Sequence, residues 1–233
     1  MNNNSLFSAI PCGETLPLNN IHAVSVSMPS LQDVIDYEEQ TPEILEKITS
    51  AYPRFVMHPY LKELAKHIKE KYDINEAYEV VLLSSQKAVE VVSSKYFIHN
   101  KIEINEPFGV ILVQNGTTQL NKVLKFIQHV GYNLSSRLAE DYLFEVEILK
   151  EKHQEALEYK TLAKEILISN LAKAYNQPTK NICLTPSGMN AVYCALRGLK
   201  TIQNQNGKNK LIQLGWLYLD TMNIVEHYFE ENK

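Results

Sequence analysis

The feature that most constrains this fold is a short apolar run followed by an amphipathic helical pattern, which occurs four times along the chain. The runs cover residues 80–83, 108–113, 182–184 and 211–216. Apolar residues then recur three and four positions apart, which is typical of a helix that packs on one face. Strands alternating with helices predict an α/β fold. Residues 182–184 and 211–216 are predicted to be buried strands that begin a parallel sheet, and that sheet is predicted to be incomplete in this chain.

The turn between the third apolar run and its helix is Ser187-Gly188-Met189. A helix that begins there exposes unpaired backbone N–H groups and the positive end of its dipole, which together attract anions. Glycine would let a phosphate approach the backbone closely. The alternative is an ordinary strand-to-helix turn capped by Ser187, because serine is a preferred N-cap residue.

Tyr52 and Arg54 are a second candidate for anion binding. Pro53 lies between them and disfavours the helical conformation for the residue before it, so this segment should be extended. Residues two apart on an extended chain point to the same side, which would let a phenol and a guanidinium reach one anion. The alternative is a surface loop with a packed tyrosine and a solvated arginine.

Tyr218 follows the fourth apolar run. Ligands of parallel α/β sheets gather at the carboxyl ends of strands, so the tyrosine ring could stack on a flat ligand there. The alternative is that the ring closes over the core. The helix after it is predicted to be capped by Asp220 or Thr221 and to continue through Phe229.

The remaining segments predict an extended arm and further helices. Residues 1–30 contain Asn runs, three prolines and an alternating apolar stretch, which favour an extended arm. Helices are predicted after Thr41-Pro42 and after His58-Pro59, because proline is favoured in the first turn. Residues 136–175 contain neither glycine nor proline, which favours one long helix or two abutting helices.

The composition excludes several classes of protein. The chain has 233 residues, 45% of them apolar, and a formal net charge of −4 with its basic residues spread along its length. A globular core is therefore expected, and a nucleic-acid partner is not. Three cysteines form neither a zinc-binding pattern nor an even disulfide set, which fits a cytoplasmic protein without a metal site. No run of about 18 apolar residues and no apolar leader occurs, so membrane insertion and secretion are not expected.

The order of the three motifs, Tyr52-Pro53-Arg54, Ser187-Gly188-Met189 and Tyr218, resembles the pyridoxal 5'-phosphate (PLP) enzymes of cysteine and methionine metabolism. Longer stretches, among them IHAVSVSMPSLQDVIDYEEQTPEILEKITSAYPRF and TPSGMNAVYCALRGL, look like the first half of the fungal-type cystathionine γ-synthases. The resemblance covers residues 9–230. A segment comparable to residues 60–175 separates the tyrosine–arginine pair from the phosphate turn in that subgroup, and this shared insertion is more specific than any of the short motifs.

The resemblance implies the fold and its divisions. The fold would be the N-terminal portion of a PLP-dependent transferase, aspartate aminotransferase-like and of fold type I, with an inserted α/β segment. Residues 1–60 would form an arm and helix that contact a second subunit. Residues 61–140 would be the insertion, and residues 141–233 a long helix followed by the beginning of the PLP-binding domain.

The resemblance also implies which residues bind the phosphate of PLP. The backbone amides of Gly188 and Met189 would hold it, in the turn that Ser187 opens. Tyr52 and Arg54 would reach the phosphate of a neighbouring subunit, which makes a homo-oligomer part of the site.

Tyr218 is implied to stack on the pyridine ring of PLP. It is followed by Leu219-Asp220, where the common family pattern has two glycines. The backbone, and with it the stacking angle, is therefore expected to differ here from the common pattern.

The activity implied is transsulfuration in methionine biosynthesis, by γ-replacement on an O-acylhomoserine with cysteine as the second substrate and PLP as the electron sink. The family's Schiff-base lysine lies downstream of the last residue, Lys233, so no catalytic residue is assigned. The isolated chain is expected to be inactive unless a second polypeptide supplies that half. Truncation, a split gene and a decayed copy would each give this pattern. The alternative function is a non-catalytic α/β protein that serves association or regulation.

Overall fold

The computed structural model describes residues 9–48, 56–104, 106–155 and 161–229, and these residues form an α/β fold with small sheets. The strands are β1 (Thr15–Leu16), β2 (Ser25–Val26), β3 (Tyr78–Leu83), β4 (Lys101–Ile102) and β5 (Gly109–Gln114). The helices are α1 (Leu31–Glu38), α2 (Pro42–Leu45), α3 (Pro59–Lys71), α4 (Gln86–Tyr96), α5 (Thr118–Val130), α6 (Ser136–Glu145), α7 (Ala163–Ala174), α8 (Gly188–Gln205) and α9 (Leu219–Ile224). A 3₁₀ turn covers Thr179–Asn181, and a π-helical turn, Val225–Phe229, continues α9.

The strands form two sheets. β1 and β2 pair antiparallel, with Thr15 opposite Val26 and Leu16 opposite Ser25. The described part of the N-terminal arm is thus extended over these short strands, as its sequence predicts. The larger sheet has the strand order β3-β5-β4. β3 followed by α4, and β5 followed by α5, are the two strand-plus-helix units predicted in the middle of the chain.

Side-chain caps fix where the helices after β3 and β5 begin. Ser85 precedes α4, and its Oγ accepts a hydrogen bond from the Ala88 N–H at 3.1 Å. Thr117 precedes α5, and its Oγ1 accepts from the Leu120 N–H at 3.2 Å. Each cap satisfies one of the first-turn amides that a helix leaves unpaired, which stabilises the helix by about 1 kcal/mol.

Two of the four predicted strands are wrong. Neither residues 182–184 nor residues 211–216 pair with any strand in the part of the chain that the structure describes. Residues 211–216 are exposed, although the sequence predicts them to be buried. Ile212, Leu214 and Trp216 retain 81%, 86% and 90% of their accessible surface. An apolar run becomes a strand only where a neighbouring strand pairs with its backbone, and no described strand does so for these two.

The prediction of one long helix or two abutting helices over residues 136–175 is also wrong, because the two helices in this range do not abut. α6 ends at Glu145 and α7 begins at Ala163. The end of α6 is set by Glu147, whose φ of 61° is left-handed, and by the Ile148 N–H, which donates to the Leu143 carbonyl at 2.9 Å. This pattern is a Schellman motif formed without glycine, so the usual sequence signal for a helix end is missing.

The chain divides into two compact units. The first comprises Met1–Leu82, Val110–Asn115 and Leu134–His153, and the second comprises Leu83–Gly109, Gly116–Asn133 and Gln154–Lys233. In the first unit α3 packs on α6, and both helices carry fully buried residues. In the second unit α5 packs against α4, α8 and α9. Its buried residues include Phe126 on α5 and Ile224 on α9, each 0% exposed.

A buried polar network lies inside the first unit. Nε2 of His22 is 3.0 Å from Oε2 of Glu140, and Nδ1 of His22 is 2.9 Å from Oγ of Ser136. Oε1 of Glu140 accepts the His153 N–H at 2.7 Å. The ring of His58, the residue before α3, stacks on that of His22 with 5.8 Å between centroids. The network therefore joins the N-terminal arm, the start of α3 and α6 by hydrogen bonds and ring contacts.

Candidate functional site

The predicted helix start at the Ser187-Gly188-Met189 turn is confirmed, since α8 begins at Gly188. Ser187 has an extended backbone, with φ −152°, and its Oγ accepts from the Asn190 N–H at 3.1 Å. The serine cap is therefore real, and it satisfies one amide of the first turn. Among the described residues, no acceptor bonds the amides of Gly188 or Met189. The cap and an anion at the remaining two amides are compatible, because they use different N–H groups.

The turn is fixed to the C-terminal end of α5. The Ser187 hydroxyl donates to the Gly131 carbonyl at 3.3 Å, and Nδ2 of Asn190 donates to the Val130 carbonyl at 3.3 Å. Asn190 is 4% exposed, so its amide is held in the interior of the second unit. Because the single proton of the Ser187 hydroxyl is already donated, the groups left to bind an anion at this turn are the backbone amides of Gly188 and Met189.

Gly188 is not required by internal packing. It is exposed, and a Cβ added to it would meet no atom within 4 Å. A side chain at this position would therefore occupy the open space in front of the first turn, where an anion bound by the two amides would sit. The donors at this turn, two backbone N–H groups at the positive end of an 18-residue helix, fit a phosphate.

Tyr218 lies at the start of α9. It directly precedes the first residue of that helix, Leu219, so the prediction that Asp220 or Thr221 caps the helix is wrong. Asp220 instead lies in the first turn, where it is 7% exposed and its negative charge complements the helix dipole. Tyr218 is 56% exposed, so its ring does not close over the core of the second unit.

Two of the three predicted site segments lie in the second unit. The turn at the start of α8 and Tyr218 at the start of α9 are on helices that pack on each other and share α5 as a neighbour. Tyr52 and Arg54 lie outside the described residues. That these residues bind PLP, as the resemblance implies, stays a prediction.

Sequence reasoning missed the two residues that hold the turn in place, Asn190 and Gly131. Gly131 ends α5 with φ 68°, and a glycine directly after a helical pattern is a recognised sign of a helix end. The burial of Asn190 had no comparable local sign, because it depends on the carbonyls at the end of α5.

No group of His, Cys, Asp or Glu residues in the described part of the chain is arranged to hold a metal ion. Cys12, Cys183 and Cys194 are free thiols. Searching the described residues for a helix of the length and apolarity needed to cross a membrane finds none.

Comparison with known proteins identifies relatives by sequence. No family model matches the chain, and no solved structure matches it. The L-2-amino-4-chloropent-4-enoate dechlorinase/desaturase of Streptantibioticus cattleyicolor is 33% identical over 210 residues, which cover 89% of this chain and 41% of that protein. The cystathionine gamma-synthase of Neurospora crassa is 34% identical over 158 residues, covering 55% of this chain and 25% of that protein. The cystathionine gamma-synthase of Saccharomyces cerevisiae is 27% identical over 161 residues, covering 58% and 24%.

The chain thus spans less than half the length of each of these relatives. They include fungal proteins, and their names agree with the resemblance that the sequence motifs predict. That resemblance, to the N-terminal half of the cystathionine γ-synthase-like enzymes, is confirmed.

Proposed function

We propose that this chain, a relative of the cystathionine γ-synthase-like enzymes by sequence, forms part of a PLP-binding site with the phosphate at the start of α8. The observation that carries the proposal is the first turn of α8. There the amides of Gly188 and Met189 have no acceptor among the described residues, and the space in front of Gly188 is open. A phosphate in that space would complete the hydrogen bonding of the turn and favourably meet the helix dipole.

Each residue of the proposed site has a separate role. Ser187 keeps the turn in shape through its bonds to Asn190 and Gly131, while the two free amides bind the phosphate. Tyr218, which is exposed, would stack on the pyridine ring and contribute about 0.5–1.5 kcal/mol to binding.

Tyr52 and Arg54 would bind the phosphate held by a neighbouring subunit. The functional unit is then a homo-oligomer in which each site draws on two chains. A charge-assisted contact from the guanidinium of Arg54 would contribute about 1.5–3 kcal/mol to that binding.

The reaction we propose for the complete site is transsulfuration by γ-replacement on an O-acylhomoserine with cysteine, as part of methionine biosynthesis in the cytoplasm. PLP, when bound, would supply an electron sink, and the residues named above would hold its phosphate and its ring. The Schiff-base lysine would come from a second polypeptide or from a continuation of the sequence, so this chain alone is proposed to bind PLP weakly and without turnover.

A second candidate is a non-catalytic role in association. The observation that favours it is the exposed apolar segment of residues 211–216, because large exposed apolar surface marks interaction sites in soluble proteins. The two candidates differ in whether the start of α8 binds a phosphate at all.

The test compares two glycines of α8. Gly188→Val places a side chain in front of the first turn, whereas Gly198→Val places the same side chain further along the helix, where an added Cβ also meets no atom within 4 Å. PLP affinity measured by equilibrium dialysis should fall by about ten-fold or more in Gly188→Val and stay near the wild-type value in Gly198→Val. Pyridoxal, which lacks the phosphate, should bind wild type and both variants equally weakly. Equal PLP affinity of the two variants would refute the proposal.

A further inference from the structure

A polar pocket lies in the second unit. The residues that line it are distant in sequence from the turn at the start of α8. The pocket has a volume of about 650 Å³ and is formed by the end of α4, one face of α5, and α9 with the π-helical turn after it. Its walls include the basic and aromatic side chains Lys95, Tyr96, Lys122, Lys125, His129 and Tyr228. This volume is within the range of pockets that hold small organic ligands.

The lysine side chains that line the pocket give its wall positive charge. Lys122, Lys125 and His129 are three and four positions apart on α5, so they lie on one face of that helix. Within the described ranges, neither Lys122 nor Lys125 forms an ion pair. No aspartate or glutamate is among the described residues that line the pocket. Neighbouring lysines on one helix face repel each other, and an anion between them would relieve that repulsion.

Lys95 brings a third ammonium group to the pocket in an unusual setting. Its Nζ is 5.5 Å from the ring centroid of Phe126 and 5.4 Å from that of Tyr228, so aromatic faces replace part of its water. Burial lowers the pKa of Lys95, and the nearby charges of Lys200 and Arg197 lower it further. These surroundings therefore disfavour the charged form of Lys95.

A polar contact joins α5 to the π-helical turn at the pocket. Nδ1 of His129 on α5 is 3.1 Å from the hydroxyl of Tyr228. Burial, together with the nearby carboxylate of Asp220, raises the pKa of Tyr228 to about 12, so this phenol keeps its proton at neutral pH. The pocket thus combines three ammonium groups with a fixed phenol and aromatic surface.

We propose that this pocket binds a small anion of the phosphate-ester class, at a site separate from the proposed PLP phosphate site. Lysine binds phosphate as a point charge, and a doubly charged phosphate group matches a cluster of ammonium groups better than a single carboxylate. The rings of Tyr96 and Tyr228 provide surface for the organic part of such a ligand.

Isothermal titration of the 233-residue chain with inorganic pyrophosphate and with phenyl phosphate tests the proposal. We expect saturable binding that weakens about ten-fold in Lys122→Gln and again in Lys125→Gln, because each change removes one charge-assisted contact. Lys125→Arg, which keeps the charge, should retain most of the affinity. The matched control is Lys87→Gln on α4, whose lysine is exposed, pairs with Glu90 at 3.0 Å and does not line the pocket.

The outcomes separate this site from the one at α8. Gly188→Val should leave the binding that depends on Lys122 and Lys125 unchanged, so failure of the PLP proposal would not affect this one. The pocket proposal is overturned by the absence of saturable binding, by an equal loss in Lys87→Gln, or by a loss confined to Gly188→Val. Unchanged circular dichroism and thermal unfolding of the glutamine variants would show that the fold is intact.

Discussion

His58 is a single residue whose protonation state should affect stability. It is 8% exposed, its Nε2 donates to the Ile21 carbonyl at 2.8 Å, and its Nδ1 accepts from the Tyr60 N–H at 3.1 Å. An imidazole that accepts at one nitrogen and donates at the other is neutral. Burial is the main reason that the pKa of His58 is lowered from 6.5; a charged His22 would lower it further, whereas Glu140 and the Ile21 carbonyl act in the opposite direction.

The lowered pKa predicts a pH dependence of unfolding. As the pH falls below 6.5, the unfolded chain protonates at His58 while the folded chain does not, so stability is lost progressively until the folded pKa is passed. His58→Asn keeps a side chain that can cap α3 and removes the titrating group. Urea unfolding midpoints between about pH 5 and pH 7 should therefore decrease less steeply with acidification in His58→Asn than in wild type. Identical slopes would show that His58 does not titrate as its burial requires.

The network of His22, Glu140 and Ser136 could not be predicted from the sequence. His22 lies in an alternating apolar stretch that only indicates extended chain. Glu140 lies on a helix whose charged residues would ordinarily face solvent, yet it is 5% exposed. Both are buried because of which segments meet in the first unit, and this meeting is a property of tertiary packing that local patterns do not report.

The helices illustrate what local sequence does determine. Ser85, Thr117 and Ser187 each precede a helix and cap it. In each case the side-chain hydroxyl accepts a hydrogen bond from the backbone N–H three residues later, so the cap depends only on the local sequence. The connection between α5 and α8 is different. It depends on Gly131, whose left-handed backbone places the end of α5 directly against Ser187 and Asn190.

Gly131→Ala should destabilise the protein more than Gly116→Ala does. Both glycines have positive φ, 68° and 69°, so alanine is strained at both by about 1–2 kcal/mol. A Cβ at position 131 would also overlap Oγ of Ser187 and come within 2.9 Å of the Asn190 nitrogen, whereas a Cβ at 116 meets nothing within 4 Å. Overpacking of this kind costs about 1–3 kcal/mol in addition. Chemical denaturation of the two variants measures the difference directly, and equal destabilisation would contradict the packing described at the start of α8.

Across the described chain, the prediction of strands succeeded where a neighbouring strand pairs with the apolar run. The runs that became β3 and β5 are neighbours in the larger sheet. Residues 182–184 and 211–216 have the same apolar character, but the described structure offers them no strand to pair with. Strand formation is a property of the neighbours as much as of the segment, so the same pattern was right twice and wrong twice.

The candidate site was predictable to the same extent. The sequence predicted a helix that begins in the Ser187-Gly188-Met189 turn, with a Ser187 cap as one of two alternatives, because these signals are local; α8 begins at Gly188 and Ser187 caps it. The exposed ring of Tyr218 was one of two alternatives for that residue. The joint contribution proposed for Tyr52 and Arg54 from a second subunit stays a prediction, because both residues lie outside the described residues.

An NMR titration with PLP that follows the amide resonances of Gly188 and Met189 tests the phosphate site at the start of α8. The measurement uses the Lys122→Gln, Lys125→Gln double variant, because these changes weaken any binding of the PLP phosphate in the pocket that the two lysines line. We predict that these two amides shift together and saturate with PLP, and that neither responds to pyridoxal, which carries no phosphate. Shifts elsewhere in the chain with both amides unmoved, or equal responses to PLP and pyridoxal, would contradict a phosphate site at the start of α8.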